Sequence, residues 1–390
     1  MKRRSSCCPA GRAKTSFLTG GDAGMTACAV AGPAAVAVAA FTIAADGSYA
    51  ARLAGEGDAR YPERWTLGGP EPYAVPLPLD QPEEADSEVL PLADGRVLIH
   101  RRVAERHAFA LLYPTGPRTG ELALGALTPA EGARVALLPP APDGYGAYAL
   151  VVGAESSTVW QVTGGGAGPA RVAHVPGRCS GGVWLDREGR LLALDREQGG
   201  RTKTVAVDLG RGGEVSPLLQ ISDASDDRLL LADTDSGLLL VRSDAPGEDR
   251  LGWGVLGSSR PVRFPECLRA VGAGAVPFAV QPGQMLMPES CAVALRLPDQ
   301  GPVDGIALWR PADRQVFRVG APYGWLGGTG LWTREAHLKL PYATPDVPCG
   351  VVGVTLPQAP PAPVGFDPGP PAPAAPAAPR PVPLQQAPLA

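Results

Sequence analysis

A short phrase, two apolar runs around a polar turn, recurs along most of this chain. It reads AFTIAADGSYAARL at 40–53, EVLPLADGRVLIHR at 88–101, AYALVVGAESSTVWQV at 147–162, GVWLDREGRLLALD at 182–195 and RLLLADTDSGLLLVRS at 228–243. It returns as GIALWRPADRQVFRV at 305–319 and GLWTREAHLKL at 330–340. Short apolar runs bounded by Asp, Glu or Gly read as strands joined by tight turns, and Asp46-Gly47 is a strong hairpin signal. RLLLA and GLLLV are apolar at consecutive positions, which requires burial on both faces of the strand. A two-sheet sandwich would leave one face of each strand wet and should alternate more cleanly. The strands therefore belong in sheets covered on both sides.

Composition narrows the architecture further. The 390 residues exceed the roughly 250 to 300 at which a single core stops growing, so the chain splits or repeats. Its 50 Gly and 44 Pro interrupt it too often for long helices. The turns near Asp46, Asp94, Glu155, Glu188 and Asp235 lie 48, 61, 33 and 47 positions apart. Repeats of about 40 to 50 residues with four short strands each mark a β-propeller. In these features the chain resembles the broad β-propeller superfamily. VWLDREGRLLALD is similar to the strand-turn-strand phrase of NHL and gluconolactonase-like blades. The resemblance implies an all-β ring over residues 36–356 with about seven blades, six or eight also fitting the length. There is no regular WD dipeptide and no Kelch double glycine at fixed spacing, so the likeness to WD40-type repeat proteins is one of architecture and carries no family site residues.

The ends differ from the middle. Residues 1–35 read as a disordered leader or an over-extended start. A secretory reading of 25–44 as an apolar h-region is the alternative, opposed by the polar gap after Lys2 to Arg4 and by Pro33. Residues 357–390 are Pro and Ala with almost no large apolar side chain, which predicts an extended tail. Pro373, Pro376 and Pro379 recur at the spacing of one polyproline face, as a proline-reading partner would require. No segment is long and apolar enough for a membrane span. The formal charge of -4 gives no electrostatic footprint for nucleic acid. A cytoplasmic monomer is the expectation, with secretion as the alternative if 25–44 acts as a signal.

Motifs for chemistry are sparse. His100, His107, His174 and His337 sit at no paired metal spacing and read as structural or surface residues. The seven cysteines are scattered and read as small buried hydrophobes. Asp233 and Asp235, followed by Gly237, resemble the start of a calcium loop, but the following LLLV supplies no later carboxylate, and a turn that caps its own backbone is favoured. Tyr323, Trp325 and Trp332 are candidates for an aromatic binding platform, with packing between the last blades as the plainer reading. RFPECLR at 263–269 and QPGQMLMPES at 281–290 read as long loops on one face of the ring.

No cofactor is implied. The leading expectation is a non-catalytic propeller, a scaffold that binds a protein partner or another ligand. The alternative is a propeller hydrolase or lactonase with a dispersed acidic site at the central channel, for which Asp186, Asp233 and His100 are the nominees. CGVVGVTL at 349–356 is expected to pair with VAVAAFTIA at 36–44 and close the ring. Removing residues 1–45 should then collapse the fold, and an unchanged melting temperature would exclude that pairing.

Overall fold

A computed structural model describes residues 41–356 apart from 165–167, 273, 284–286 and 299–304. The expected leader and tail lie outside the described residues. Seven antiparallel sheets follow one another along the chain. The first holds β1 (Thr42–Ile43), β2 (Tyr49–Ala54), β3 (Tyr61–Thr66) and β4 (Tyr73–Pro76). The second holds β5 (Glu88–Pro91), β6 (Val97–Val103), β7 (Arg106–Pro114) and β8 (Thr119–Leu127). The third has β9 (Arg134–Leu137), β10 (Ala147–Val152), β11 (Ser156–Thr163) and β12 (Ala170–Pro176), and the fourth β13 (Arg178–Trp184), β14 (Leu191–Gln198), β15 (Arg201–Asp208) and β16 (Glu214–Leu219). The fifth has three strands, β17 (Asp227–Ala232), β18 (Leu238–Ser243) and β19 (Arg250–Val255). The sixth has β20 (Val276–Val280), β21 (Val293–Leu297), β22 (Gly305–Trp309) and β23 (Val316–Gly320), and the seventh β24 (Leu331–Trp332), β25 (His337–Tyr342) and β26 (Gly350–Thr355).

First strands of successive sheets touch one another, β1 with β5, β5 with β9, β17 with β20 and β20 with β24. Sheets whose first strands meet while their later strands diverge are radial. The chain is a seven-bladed β-propeller. No helix among the described residues is long and apolar enough to cross a membrane.

The repeat is more regular than the sequence spacing suggested. Glu155 lies in the β10/β11 turn, the second hairpin of its blade, whereas the first-hairpin turn there is built on Asp143. With Asp143 in place, the turns at Asp46, Asp94, Asp143, Glu188 and Asp235 are 48, 49, 45 and 47 positions apart. Each turn has a carboxylate that accepts from its own backbone: Asp46 from Ser48, Asp94 from Arg96, Asp143 from Tyr145 and Gly146, Asp186 from Arg190 and Leu191, and Asp233 from Ser236. Such a bond stands in for a backbone turn. Gly47 and Gly95 follow the first two aspartates with φ of 72° and 81°, where a side chain would be strained.

Hydrophobic packing falls into one layer per blade boundary. Blades 1 and 2 share a cluster with Ala51, Leu77, Val97 and Ile99, blades 2 and 3 one with Leu98, Phe109 and Ala149, and blades 3 and 4 one with Tyr148, Leu150, Trp184 and Leu192. The series continues through Leu185, Leu229 and Val241, then Trp253, Val293 and Trp309, then Ile306, Leu308 and Leu338. Neighbouring residues of one strand thus serve different layers: Leu98 faces blade 3 while Ile99 faces blade 1. Consecutive burial in VLIH of β6 and LLLV of β18 follows directly.

A polar knot joins blades 4 and 5. Asp227, fully buried, takes Lys203 Nζ at 2.7 Å, Ser243 Oγ at 2.6 Å, Ser225 Oγ at 2.9 Å and the Ile221 N–H at 2.9 Å. Burial pushes its carboxyl up, but Lys203 and the other donors outweigh burial and hold it below the usual carboxylate range.

The expected closing pair falls partly outside the described residues. Among those described, β26 is bonded to β25 alone, and β1 is the first strand of blade 1, pairing Thr42 with Ala51 and Ile43 with Ala50. The Asp46-Gly47 turn commits the end of VAVAAFTIA to its own blade, and residues 36–40 lie outside the described residues. The described residues of blades 7 and 1 meet by packing: Phe41, Ala50 and Trp65 are buried there, with Leu326, Ala343 and Cys349 against them. Trp65 stacks edge-on with Phe41 at 4.9 Å and donates to Glu63 at 2.7 Å. Among the described residues three are buried here, the fewest of the seven layers, so the seam should be the first place to open. We expect Trp65→Ala to cost about 3 to 5 kcal/mol in urea unfolding, and hydrogen exchange of the parent to be fastest in β1, β2, β25 and β26. Slower exchange there than in β18 would contradict it.

Candidate functional sites

Successive turns of an antiparallel sheet alternate between its two ends, so first-hairpin turns and second-hairpin turns occupy opposite faces of the ring. The nominated carboxylates lie on the first-hairpin face. Asp186 sits in the β13/β14 turn and accepts from Arg190 N–H at 2.9 Å and Leu191 N–H at 3.1 Å. Asp233, buried in the β17/β18 turn, accepts from Ser236 N–H at 2.9 Å and Ser236 Oγ at 2.6 Å. Arg187 and Asp235 form an ion pair that bridges these two turns. Both aspartates are therefore engaged by their own turns. His100 lies in β6 of blade 2, and no hydrogen bond joins it to either, so the structure does not assemble the three into one site. Asp235 is tied to Arg187, and among the described residues no three His, Cys, Asp or Glu side chains form a metal-holding group.

The aromatic platform is likewise divided. Trp332 is buried between blades 6 and 7, Trp325 lies against Phe278 at 5.3 Å and donates to the Thr329 carbonyl at 3.0 Å, and only Tyr323 is well exposed, at 79%. Burial of its apolar area stabilises Trp332 in that layer more than solvent exposure would.

Two pockets that the sequence did not reveal hold more promising groups. The first opens between blades 2 and 3 on the second-hairpin face, with a volume of about 410 Å³. The β6/β7 hairpin turns at Ala104 and Glu105, pairing Arg102 with His107 and His100 with Phe109. That register puts both histidines on one face of the blade. Glu88 of β5 lies directly opposite His100 on its other side. The result is a hydrogen-bonded relay: Glu88 Oε2 to His100 Nδ1 at 2.9 Å, and His100 Nε2 to His107 Nδ1 at 2.8 Å. The imidazoles are 3% and 9% exposed and His100 stacks on Phe109. The same Glu88 oxygen takes the Leu137 N–H of blade 3 at 2.9 Å. Burial pushes the His107 imidazole below the ordinary histidine value, His100 and Arg102 push the same way, and Asp86 and Glu88 oppose them. Read one at a time the histidines looked isolated; placing the β6/β7 turn was the signal that would have joined them.

The second is a groove on the first-hairpin face between blades 5 and 6. Two adjoining hollows of about 340 and 660 Å³ share Trp253, Arg263 and Glu289. The long loops noted in the sequence meet here. After β19 the chain keeps only a stub of a fourth strand, a bridge between Trp253 and Arg263, before the helical turn at Glu266–Arg269. Arg250 holds that segment by bonds to the Phe264 carbonyl at 3.1 Å and Glu266 at 2.9 Å. Arg263 lies over the Trp253 ring at 4.8 Å, and Trp309 meets Trp253 edge-on at 6.5 Å. Phe264, Pro265 and Pro311 form walls, and Met287 stands 69% exposed on the rim.

Comparisons place the fold and no more. Neither a family model nor a curated protein sequence matches the chain. Among solved structures, prolyl oligopeptidase B from Galerina marginata matches at a TM-score of 0.51 and 11% identity over 80% of this chain and 45% of that one. TolB from Acinetobacter baumannii matches at 0.42 and 13%, covering 79% and 80%, and oligogalacturonate lyase from Vibrio parahaemolyticus at 0.43 and 10%, covering 81% and 86%. The chain spans less than half the length of the peptidase, and at such identity the likeness is one of propeller architecture.

The His100–His107 bond is buried, so replacing the relay's middle member should be costly. His100→Phe keeps the stack on Phe109 but takes one partner from Glu88 and strands the His107 N–H. A loss of about 2 to 4 kcal/mol is expected in urea unfolding at neutral pH. A change below about 0.5 kcal/mol, the size of an ordinary surface substitution, would show that the bonds do not form.

Proposed function

We propose that this propeller is a non-catalytic binding scaffold whose partner is a protein seated on the groove between blades 5 and 6. The observation that carries the reading is the composition and placement of that groove. Tryptophan, arginine and methionine are the side chains over-represented in protein interfaces, with tryptophan and arginine dominating their energetics. Here Arg263 and Arg314 line the groove and Met287 overhangs it, all above a core in which Trp253 and Trp309 are buried and hold the floor rigid. The floor belongs to a rigid blade boundary, so a partner would meet a preorganised surface and lose little entropy in ordering it. Loops that depart from the regular turn supply the walls, and loops of that kind carry recognition on many rigid scaffolds. The proline-rich residues 357–390 offer a second contact for a proline-reading partner.

A catalytic alternative would have to run through the Glu88, His100 and His107 relay, because the carboxylates of Asp186 and Asp233 are engaged within their own turns. The described residues lining that pocket include no serine, threonine, cysteine or lysine to serve as a nucleophile beside His107, which favours the scaffold.

A photo-crosslinking amino acid at Met287, with Leu122 on the exposed outer strand β8 as the control position, tests the reading in the cells that make the protein. One polypeptide should be captured at 287 and not at 122. Arg263→Glu should reduce its yield about tenfold, as expected when an interface arginine is reversed in charge. Equal capture at both positions, or no effect of Arg263→Glu, would reject the groove as the partner site.

A further inference from the structure

The hydrogen bond between the two imidazoles of blade 2 responds to two protons in different ways. Glu88, as a carboxylate, only accepts, so His100 carries its proton on Nδ1 and offers Nε2 as the acceptor for the His107 Nδ1–H. A first proton added to the pair breaks nothing, since one imidazolium can still donate to the other, neutral ring. A second leaves both rings protonated on both nitrogens and removes the acceptor. Two N–H donors then face each other across a 2.8 Å gap, each on a cation, where burial leaves little water to separate them.

The surrounding charges set the same threshold. The pocket is lined by the carboxylates of Asp86, Glu88 and Glu105 and the guanidinium groups of Arg102 and Arg134. Three against two leaves one negative charge, which the first proton neutralises. A second proton makes the pocket net positive. Glu88 comes from β5 and Asp86 from the turn before it, Arg102 and Glu105 from the hairpin itself, and Arg134 from blade 3.

We propose that the relay is an acid-operated catch within blade 2, which holds the tip of the β6/β7 hairpin against the pocket wall through its first protonation and releases it at the second. Glu88 anchors the fixed side, since its one oxygen serves both His100 and the Leu137 N–H of blade 3. The element that moves is the hairpin tip carrying His107, whose ladder bonds from Arg101/Ala108 to Val103/Arg106 fray as the imidazole leaves the pocket wall. Because the His107 imidazole is held below the ordinary histidine value, its contribution to stability is full above that value and declines as pH falls below it.

Hydrogen exchange of the full chain, read by mass spectrometry and corrected for the intrinsic effect of pH, tests the catch. At about pH 7.5 residues 97–112 should be protected, and at about pH 4.5 they should exchange about tenfold faster or more, while β18 stays protected. His107→Asn offers His100 an amide that can present either a donor or an acceptor and takes no proton, so its 97–112 segment should stay closed in acid. Glu88→Gln removes the counter-charge and should release the hairpin at a higher pH than the parent. If the parent's 97–112 segment follows β18 at both pH values, or His107→Asn opens over the same acid range as the parent, the proposal fails. Should His107→Asn not fold, the imidazole ¹⁵N shifts of the parent decide: two separated titration steps support the catch, and one shared step overturns it.

Discussion

Every blade of this ring is stabilised by its neighbours. A sheet of three or four short strands buries too little area to stand alone, and here each is covered on both faces by the next sheet in the circle. This constraint explains why adjacent residues of β6 and β18 are all apolar: successive side chains serve opposite boundaries. It also explains why the outer strand β8 can be exposed along most of its length, since its faces lie beyond the packed layers. Stability is therefore shared among seven boundaries, and the one between blades 7 and 1 has the fewest buried residues among those described, Phe41 and Trp65 being the largest of them.

Because the boundaries fix the strands, the turns are left to local chemistry, and carboxylates dominate them. An aspartate at a hairpin turn caps backbone N–H groups that the ladder leaves unpaired. The run of acids in GGVWLDREGRLLALDREQGG is an instance: Asp186 closes its turn, Asp195 is buried and accepts from Thr204 and from the Leu229 N–H of the next blade, and Glu188 is exposed beside Arg190. Carboxylates grouped along the sequence are thus distributed to three separate structural tasks. Their clustering there reflects the blade repeat, not a shared active centre.

What the sequence made legible was what depends on neighbours along the strand. The hairpins, the double-sided burial and the blade number follow from residues close together, and all three appear in the structure. The spacing of the repeat was blurred because Glu155 and Asp143 sit in different turns of one blade, a distinction that only pairing partners reveal. The aromatic residues near the end could be read as a platform or as packing, and the sequence could not sort them because exposure is decided by the opposing blade: Trp332 lies with Leu308 and Leu338 within one cluster, and Tyr323 is exposed. The relay escaped notice for a related reason. Glu88, His100 and His107 belong to three strands, and their meeting depends on two registers at once.

One position in the blade carries polar groups more than once, and what occupies it decides how it responds. Asp227 opens β17 and lies opposite Ser243, just as Glu88 opens β5 and lies opposite His100. Buried polar groups at such a boundary must be satisfied within it. At the boundary of blades 4 and 5 the partners of the carboxylate are an ammonium, two hydroxyls and a backbone N–H, none of which titrates in mild acid. That knot holds until Asp227 itself is protonated, which its partners resist. At the boundary of blades 2 and 3 the partners are imidazoles, whose ordinary titration lies close to neutrality. The same architectural slot is a fixed tie in one blade and a pH-dependent one in another, and the difference comes from side chains that leave the strands and their packing unchanged.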